Sequence, residues 1–385
     1  HRPDIGKEFF CMYTMQFLFG IIVIILYILY TLNLSSDTKI SLIFLIYIIS
    51  AVFDVNWLFN GLEQFKITIT RSFFVKLFST LSIFLFVKSK NDVYLYCLIL
   101  SFSFLINQLC LWPFIIKKFR FYLPNIKEIK EHIKPNFVLF LSVLGTSIYK
   151  YMDKIMLGIL CSKIEVGYYE QSERIIALPV AFIASLGAVM LPRMTSMLND
   201  SRKNNNFNEY FKKSMFFSMA VSSVLSFGIM SVAFEFVPLY YGTGNQKISY
   251  LFLVLLPSCI FLGIGNVITT QYLIPRNKDS IYIKSIFIGA FINVITNLIL
   301  IPKFESLGAA LGTLFAEITS CIYKVIMSNK EMKTISILKK GILLIFIPIS
   351  MFIVLSIIRI NKSNLYILFF KIVVGAIYYL VLMII

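Results

Sequence analysis

Long apolar runs separated by short polar ones extend from one end of this chain to the other. They occupy 11–31, 41–60, 73–87, 93–116, 137–160, 175–194, 214–238, 250–273, 284–301, 307–327, 341–358 and 365–385, the third being short. A helix needs about 20 apolar residues to cross a bilayer core. Lipid offers no hydrogen-bonding partners, so each backbone group must pair within its own segment. The period-two alternation of a β-barrel is absent. The pattern therefore predicts an all-α polytopic membrane protein of about twelve transmembrane helices joined by short loops.

Composition agrees. Of the 385 residues, 58% are hydrophobic and 14% charged, against about 45–50% and about 25% in soluble domains. A soluble enzyme, a disordered chain and a receptor with a large extramembrane domain are excluded. The net charge of +17 does not point to nucleic acid, because no basic stretch stands free of a span. It points instead to membrane orientation. Of the 36 Lys and Arg, 24 fall on the side that holds Arg2, Lys7, Lys66, Lys117 and Lys339. That bias places this side, and both termini of the chain, in the cytoplasm. The two longest loops, 117–136 and 195–213, lie on the same side. The first (KKFRFYLPNIKEIKEHIKPN) predicts a short interfacial helix facing anionic lipid. It also marks a division into a first lobe, residues 1–134 with four spans, and a second, residues 135–385 with eight.

The six cysteines form no CxxC and only two histidines exist, His1 and His132. Neither a metal site nor histidine-based catalysis is expected. There is no HExxH, GxSxG or Walker sequence, so no catalytic residue is assigned.

Ionisable groups inside spans are costly and mark function by default. The fifth span carries GTSIYKYMDKIMLG (145–158), in which Lys150, Asp153 and Lys154 share a helix face at i, i+3 and i+4. Asp153 is expected to pair with one of the lysines. The sixth opens with YYEQSERI (168–175), where Glu170, Glu173 and Arg174 repeat the spacing and Glu170 suits Arg174. The two clusters lie at similar depth on consecutive antiparallel helices, which favours one shared cavity over packing alone. In the second span Asn56, Asn60 and Glu63 form a polar stripe beside Asp54 and Trp57; an interfacial helix end explains Glu63 equally well and the deeper Asp54 less well. Thr313, Glu317, Ser320 and Lys324 line one face of the tenth, where Gly308 and Gly312 signal close helix packing. Asn293 with Asn297 is expected to be structural glue. Lys371 and Glu235 are expected to snorkel.

Several stretches resemble the Wzx-type oligosaccharide flippases, within the multidrug/oligosaccharidyl-lipid/polysaccharide exporter superfamily. They are DVNWLFNGLEQFKITITRS (54–72), YMDKIMLG with VGYYEQSERI (151–158 and 166–175), VMLPRMTSM (189–197), GIGNVITTQYLIPRNKDSIY (263–282) and NLILIPKFESLGAALGTLFAE (297–317). Each is loose alone; their order and spacing carry the resemblance over nearly the whole chain. It implies two helix bundles around a central cationic cavity and alternating access. The implied substrate is an undecaprenyl-diphosphate-linked sugar repeat unit, moved across the bacterial inner membrane for O-antigen, capsule or exopolysaccharide synthesis. Lys150, Lys154 and Arg174 fall in the matching motifs as substrate-binding candidates. Asp153, Glu170, Glu173, Glu317, Asp54 and Glu63 are the ion-coupling or charge-pair candidates. Membrane lipids, a polysaccharide polymerase and chain-length proteins are the implied partners. No cofactor is implied beyond a proton or sodium ion. Family chains usually open with two further spans, so the start at His1 reads as internal and the first lobe as short by two helices. A drug or cation exporter would need an acidic cavity. A membrane polysaccharide polymerase would need a long external loop, and the external loops here are short.

Overall fold

The computed structural model describes residues 5–35, 37–62, 64–199, 207–358 and 364–384, less the side chains of residues 90, 134–135, 138–139, 141–146, 148–150, 199 and 384. Their regular structure is entirely helical, with no strand among the described residues. They fall into two compact units, His1–Val143 and Leu144–Ile385. Among the described residues eleven helical segments are long and apolar enough to cross a membrane.

The first unit holds α1 (Ile5–Asn33), α2 (Thr38–Val52), α3 (Asn56–Gly61), α4 (Phe65–Phe86), α5 (Val93–Leu109), α6 (Trp112–Lys118) and the first half of α7 (Ile126–Leu160). The second expected span is broken at residues 53–55, between α2 and α3. The break is held rather than frayed. The Gln16 side-chain amide donates to the carbonyls of Ala51, Val52 and Asp54 at 3.1, 3.2 and 2.8 Å, satisfying groups that the end of α2 leaves open. The buried cluster of this unit packs Phe9, Phe10, Val55, Leu58, Phe59, Leu111 and Ile115 around the break. The fourth expected span is interrupted likewise, between α5 and α6.

The expected interfacial helix does not exist as a separate element. Residues 120–125 are non-helical, and α7 then runs unbroken for 35 residues through the fifth span. Glu128, one turn in, accepts hydrogen bonds from the Asn125 N–H at 2.8 Å and the Tyr122 hydroxyl, and pairs with Lys7 at 2.6 Å. These contacts, Lys7 first, hold its carboxyl down to about 2.

The second unit holds the rest of α7, then α8 (Lys163–Asn199), α9 (Phe207–Ser231), α10 (Ala233–Tyr241), α11 (Lys247–Leu255), α12 (Ser258–Ile268), α13 (Asp279–Phe304), α14 (Ser306–Met332), α15 (Thr334–Gly341), α16 (Leu343–Ile357) and α17 (Asn364–Ile384). A π-helical turn over Thr269–Leu273 follows α12; such turns recur at functional sites. Helix α8 begins a dozen residues before its apolar run, so the sixth-span charge cluster sits inside the helix. The expected loop 195–213 shrinks, because α8 reaches Asn199 and α9 starts at Phe207; residues 200–206 lie outside the described residues. Helices α13 and α14 turn back on each other through Glu305 alone, at φ 54°. Their approach is close enough that a Cβ on Gly308 would lie 2.3 Å from the Leu300 carbonyl oxygen, and one on Gly312 2.1 Å from Asn297 Oδ1. The GxxxG signal therefore marks a real close approach.

Candidate functional site

The second unit encloses a cavity of about 440 Å³ among α7, α8, α12, α13 and α14, lined by Asp153, Tyr169, Glu173, Asn293, Thr313 and Glu317 with apolar neighbours. Asp153 is 4% exposed. The expected pairing with a lysine is not what it makes. Its carboxylate instead accepts from four neutral donors: Tyr169 OH at 2.8 Å, Thr313 Oγ1 at 2.7 Å, Asn293 Nδ2 at 2.9 Å and Asn297 Nδ2 at 2.5 Å. The four donors come from α8, α13 and α14, while Lys154 is taken up by carboxylates of α8.

Lys154 pairs with Glu170 and, at 2.7 Å, with Glu173. The two clusters thus meet as expected, but through this lysine. Glu170 also accepts from Arg174 Nε at 3.2 Å, the pair that the spacing anticipated. Arg174 is largely exposed and, like Lys154 and Glu170, is absent from the cavity wall. The charged lining of this cavity is therefore carboxylate: Asp153, Glu173 and Glu317. The side chain of Lys150 lies outside the described residues.

In the first unit Asp54 lies just before α3. Its Oδ1 accepts from the Asn56 N–H at 2.9 Å and from Asn56 Nδ2 at 2.7 Å. Asn56 Nδ2 also reaches Gln108 Oε1, and Asn56 Oδ1 accepts from Arg71, both at 2.9 Å. The polar stripe of the second span is thus a network centred on Asn56 that takes in Arg71. Arg71 Nε and Nη1 are buried without a hydrogen-bonding partner among the described residues. Asn60 is exposed, and Glu63 lies outside the described residues.

Glu165 escaped the sequence reading, and the partners of Lys371, Glu235 and Lys324 were not anticipated by it. Glu165, 7% exposed, accepts from Lys247 at 2.7 Å and from the Ser306 N–H at 3.2 Å, tying the starts of α8, α11 and α14 together. Lys371 and Glu235 do not snorkel apart; they pair at 2.7 Å, with Lys371 7% exposed. Lys324 stands over the Tyr282 ring, 5.7 Å from its centroid. Opposite-charge spacing marked none of these, because the partners lie on distant helices. Among the described residues no cluster of His, Cys, Asp and Glu is arranged to hold a metal.

The polysaccharide biosynthesis protein family matches residues 11–198. The chain is 22% identical over 281 residues to a protein of Shigella dysenteriae named as a candidate O-antigen transporter, covering 72% of this chain and 69% of that one. A protein of Escherichia coli K12 with the same name is 20% identical, over 71% of this chain and 66% of its own. The Staphylococcus aureus capsular polysaccharide biosynthesis protein CapF is 27% identical, over 59% of this chain and 61% of its own. Among solved structures, the inward closed lipid II flippase MurJ superposes with a TM-score of 0.80, covering 98% of this chain and 82% of that one at 18% identity. The chain shares the fold of that structure, and it spans about two thirds of the curated relatives named here.

Proposed function

We propose, from its similarity to polysaccharide biosynthesis proteins, O-antigen transporters and the MurJ fold, that this membrane protein is a Wzx-type flippase that carries lipid-linked oligosaccharides across the bacterial inner membrane by alternating access and catalyses no bond change. The carrying observation is the MurJ-like fold over 98% of the chain, joined to relatives named for O-antigen and capsular polysaccharide. A diphosphate cannot enter hydrocarbon bare; fixed cations replace its water by charge-assisted hydrogen bonds. Lys150, Lys154 and Arg174 are the proposed cations of the second unit. Lys154 already holds Glu170 and Glu173, so substrate oxygens compete with those carboxylates for it. Protonation of Glu173 shifts that competition toward the substrate. Asp153, Glu173 and Glu317 form the proposed proton or sodium site, because a cavity whose charged lining is carboxylate attracts a cation.

The same acidic lining favours a second reading, a cation exporter. Reconstitution separates the two. Vesicles holding the full chain are expected to move a fluorescent lipid-linked oligosaccharide between leaflets in a manner that depends on a proton or sodium gradient. Asp153→Asn is expected to remove the gradient dependence, and Lys154→Gln to slow movement about tenfold. Gradient-driven export of a lipophilic cation without oligosaccharide movement would replace the flippase reading. Formation of new glycosidic bonds by the purified protein would make it an enzyme.

A further inference from the structure

The first unit holds a cleft of about 940 Å³ between α1, α6 and the non-helical segment that follows α6. Its volume falls in the range of small-molecule sites, about 300–1,000 Å³. The walls are aromatic: Phe10, Tyr13, Phe17, Trp112, Phe119 and Phe121. Tyr13 and Trp112 pack edge to face at 4.8 Å, and Phe10 and Phe121 likewise at 5.3 Å. Trp112 is fixed from behind by its indole N–H, which donates to the Phe53 carbonyl at 3.1 Å. The Tyr13 hydroxyl has no hydrogen-bonding partner among the described residues.

The lining also carries Lys117, Lys118 and Arg120, all exposed. Among the described residues no carboxylate pairs with any of them, whereas nearby Lys7 is taken by Glu128. Three unpaired cations within four residues, set against an aromatic wall, fit an anion that carries a flat, weakly polar body. Sugar rings present C–H faces that pack on the electron-rich faces of aromatic rings, and a diphosphate answers the cations. The exposed apolar face of α1 continues beside the cleft through Leu18, Ile21, Ile22 and Ile25, which suits a hydrocarbon tail left in the bilayer.

We propose that this cleft is a loading site for the glycosyl-diphosphate head of the polyprenyl-linked substrate, with Lys117, Lys118 and Arg120 on the diphosphate and Tyr13 and Trp112 on the first sugar. The assignment rests on the flippase reading for the identity of the ligand. It places the site in the first unit alone. A plain anionic phospholipid has one phosphate and no sugar, so it leaves the aromatic wall unused.

Trp57 and Trp112 are the chain's two tryptophans, so Trp57→Phe in the full chain makes Trp112 the sole reporter. Farnesyl-diphosphate-linked N-acetylglucosamine, titrated in detergent, is expected to change Trp112 emission saturably. Adding Lys118→Gln and Arg120→Gln should weaken that binding about tenfold or more, while Lys118→Arg with Arg120→Lys should retain it. Lys127→Gln with Lys130→Gln removes the same charge from exposed positions outside the cleft and should leave binding unchanged. A silent Trp112 would overturn the site. So would equal competition by phosphatidylglycerol, or equal weakening by the outside pair. If Trp112 responds as expected but reconstituted protein moves no oligosaccharide, the site stands and transport falls; movement with a silent Trp112 removes the site alone.

Discussion

Asp153 shows how much a single buried carboxylate organises. Each of its oxygens accepts from two donors, and those donors sit on three helices far apart in sequence. Removing the acceptor strands buried hydroxyl and amide groups, at about 1–3 kcal/mol for each left unsatisfied. Asp153→Ala is therefore expected to lower thermal stability in detergent markedly. Asp153→Asn sets an NH2 against two donors, and should fall between Asp153→Ala and the unaltered chain. Tyr169→Phe removes one of the four donors and leaves the acceptor, so it should cost least. Melting curves of the three variants check the order; an Asp153→Asn as stable as the parent would refute it. At this scale the sequence marked Asp153, Lys154, Glu170 and Glu173 correctly as one neighbourhood, since helical spacing puts them on facing surfaces. It did not show which charge meets which. Asn293 and Asn297 looked like a local pair, and their common target lies 140 and 144 residues away.

Among the elements, the hairpin of α13 and α14 depends on the missing side chains of Gly308 and Gly312. A methyl on Gly308 collides with backbone, the Leu300 carbonyl, which cannot turn aside. A methyl on Gly312 collides with the Asn297 side chain, which holds Asp153. Each substitution to alanine forces the helices apart, at a cost of about 1–3 kcal/mol. Gly312→Ala should in addition weaken the cation dependence of transport, because it displaces a ligand of Asp153. Gly228→Ala is the control: its nearest neighbour would be Met351 Cε at 3.9 Å, an ordinary contact, and alanine is the better helix former by about 1 kcal/mol. Comparable losses at Gly228 and Gly308 would refute the packing argument. The helices themselves were legible because lipid leaves no other choice. Their ends were not. Pro135 and the polar run before it read as a loop, yet α7 passes through, since a proline in a long helix removes one hydrogen bond without ending it. The break at 53–55 was equally hidden, because the Gln16 amide that supports it comes from another helix.

For the whole molecule, the distribution of charge makes a prediction that neither residue nor helix makes alone. With the twelve spans expected from the apolar runs, the chain would end on the side on which it began, and that topology would assign 24 of its 36 basic residues to that side. Cytoplasmic loops hold such residues because moving them across the membrane is costly. The segment 117–125 between α6 and α7 and the basic α15, with Lys339 and Lys340 in its last turn, should then be cytoplasmic, together with the C-terminal end of this chain. The short connections after α1 and α4, around Asp37 and Asp92, should face outward. Reporter fusions test this directly. A green fluorescent protein joined after Ile385 should fluoresce, and alkaline phosphatase at the same point should be inactive. The same phosphatase inserted at Asp92 should be active. The opposite pattern would invert the protein and put the aromatic and basic cleft on the outer face. It would then meet the lipid-linked sugar only after transfer, and a loading role there would be impossible.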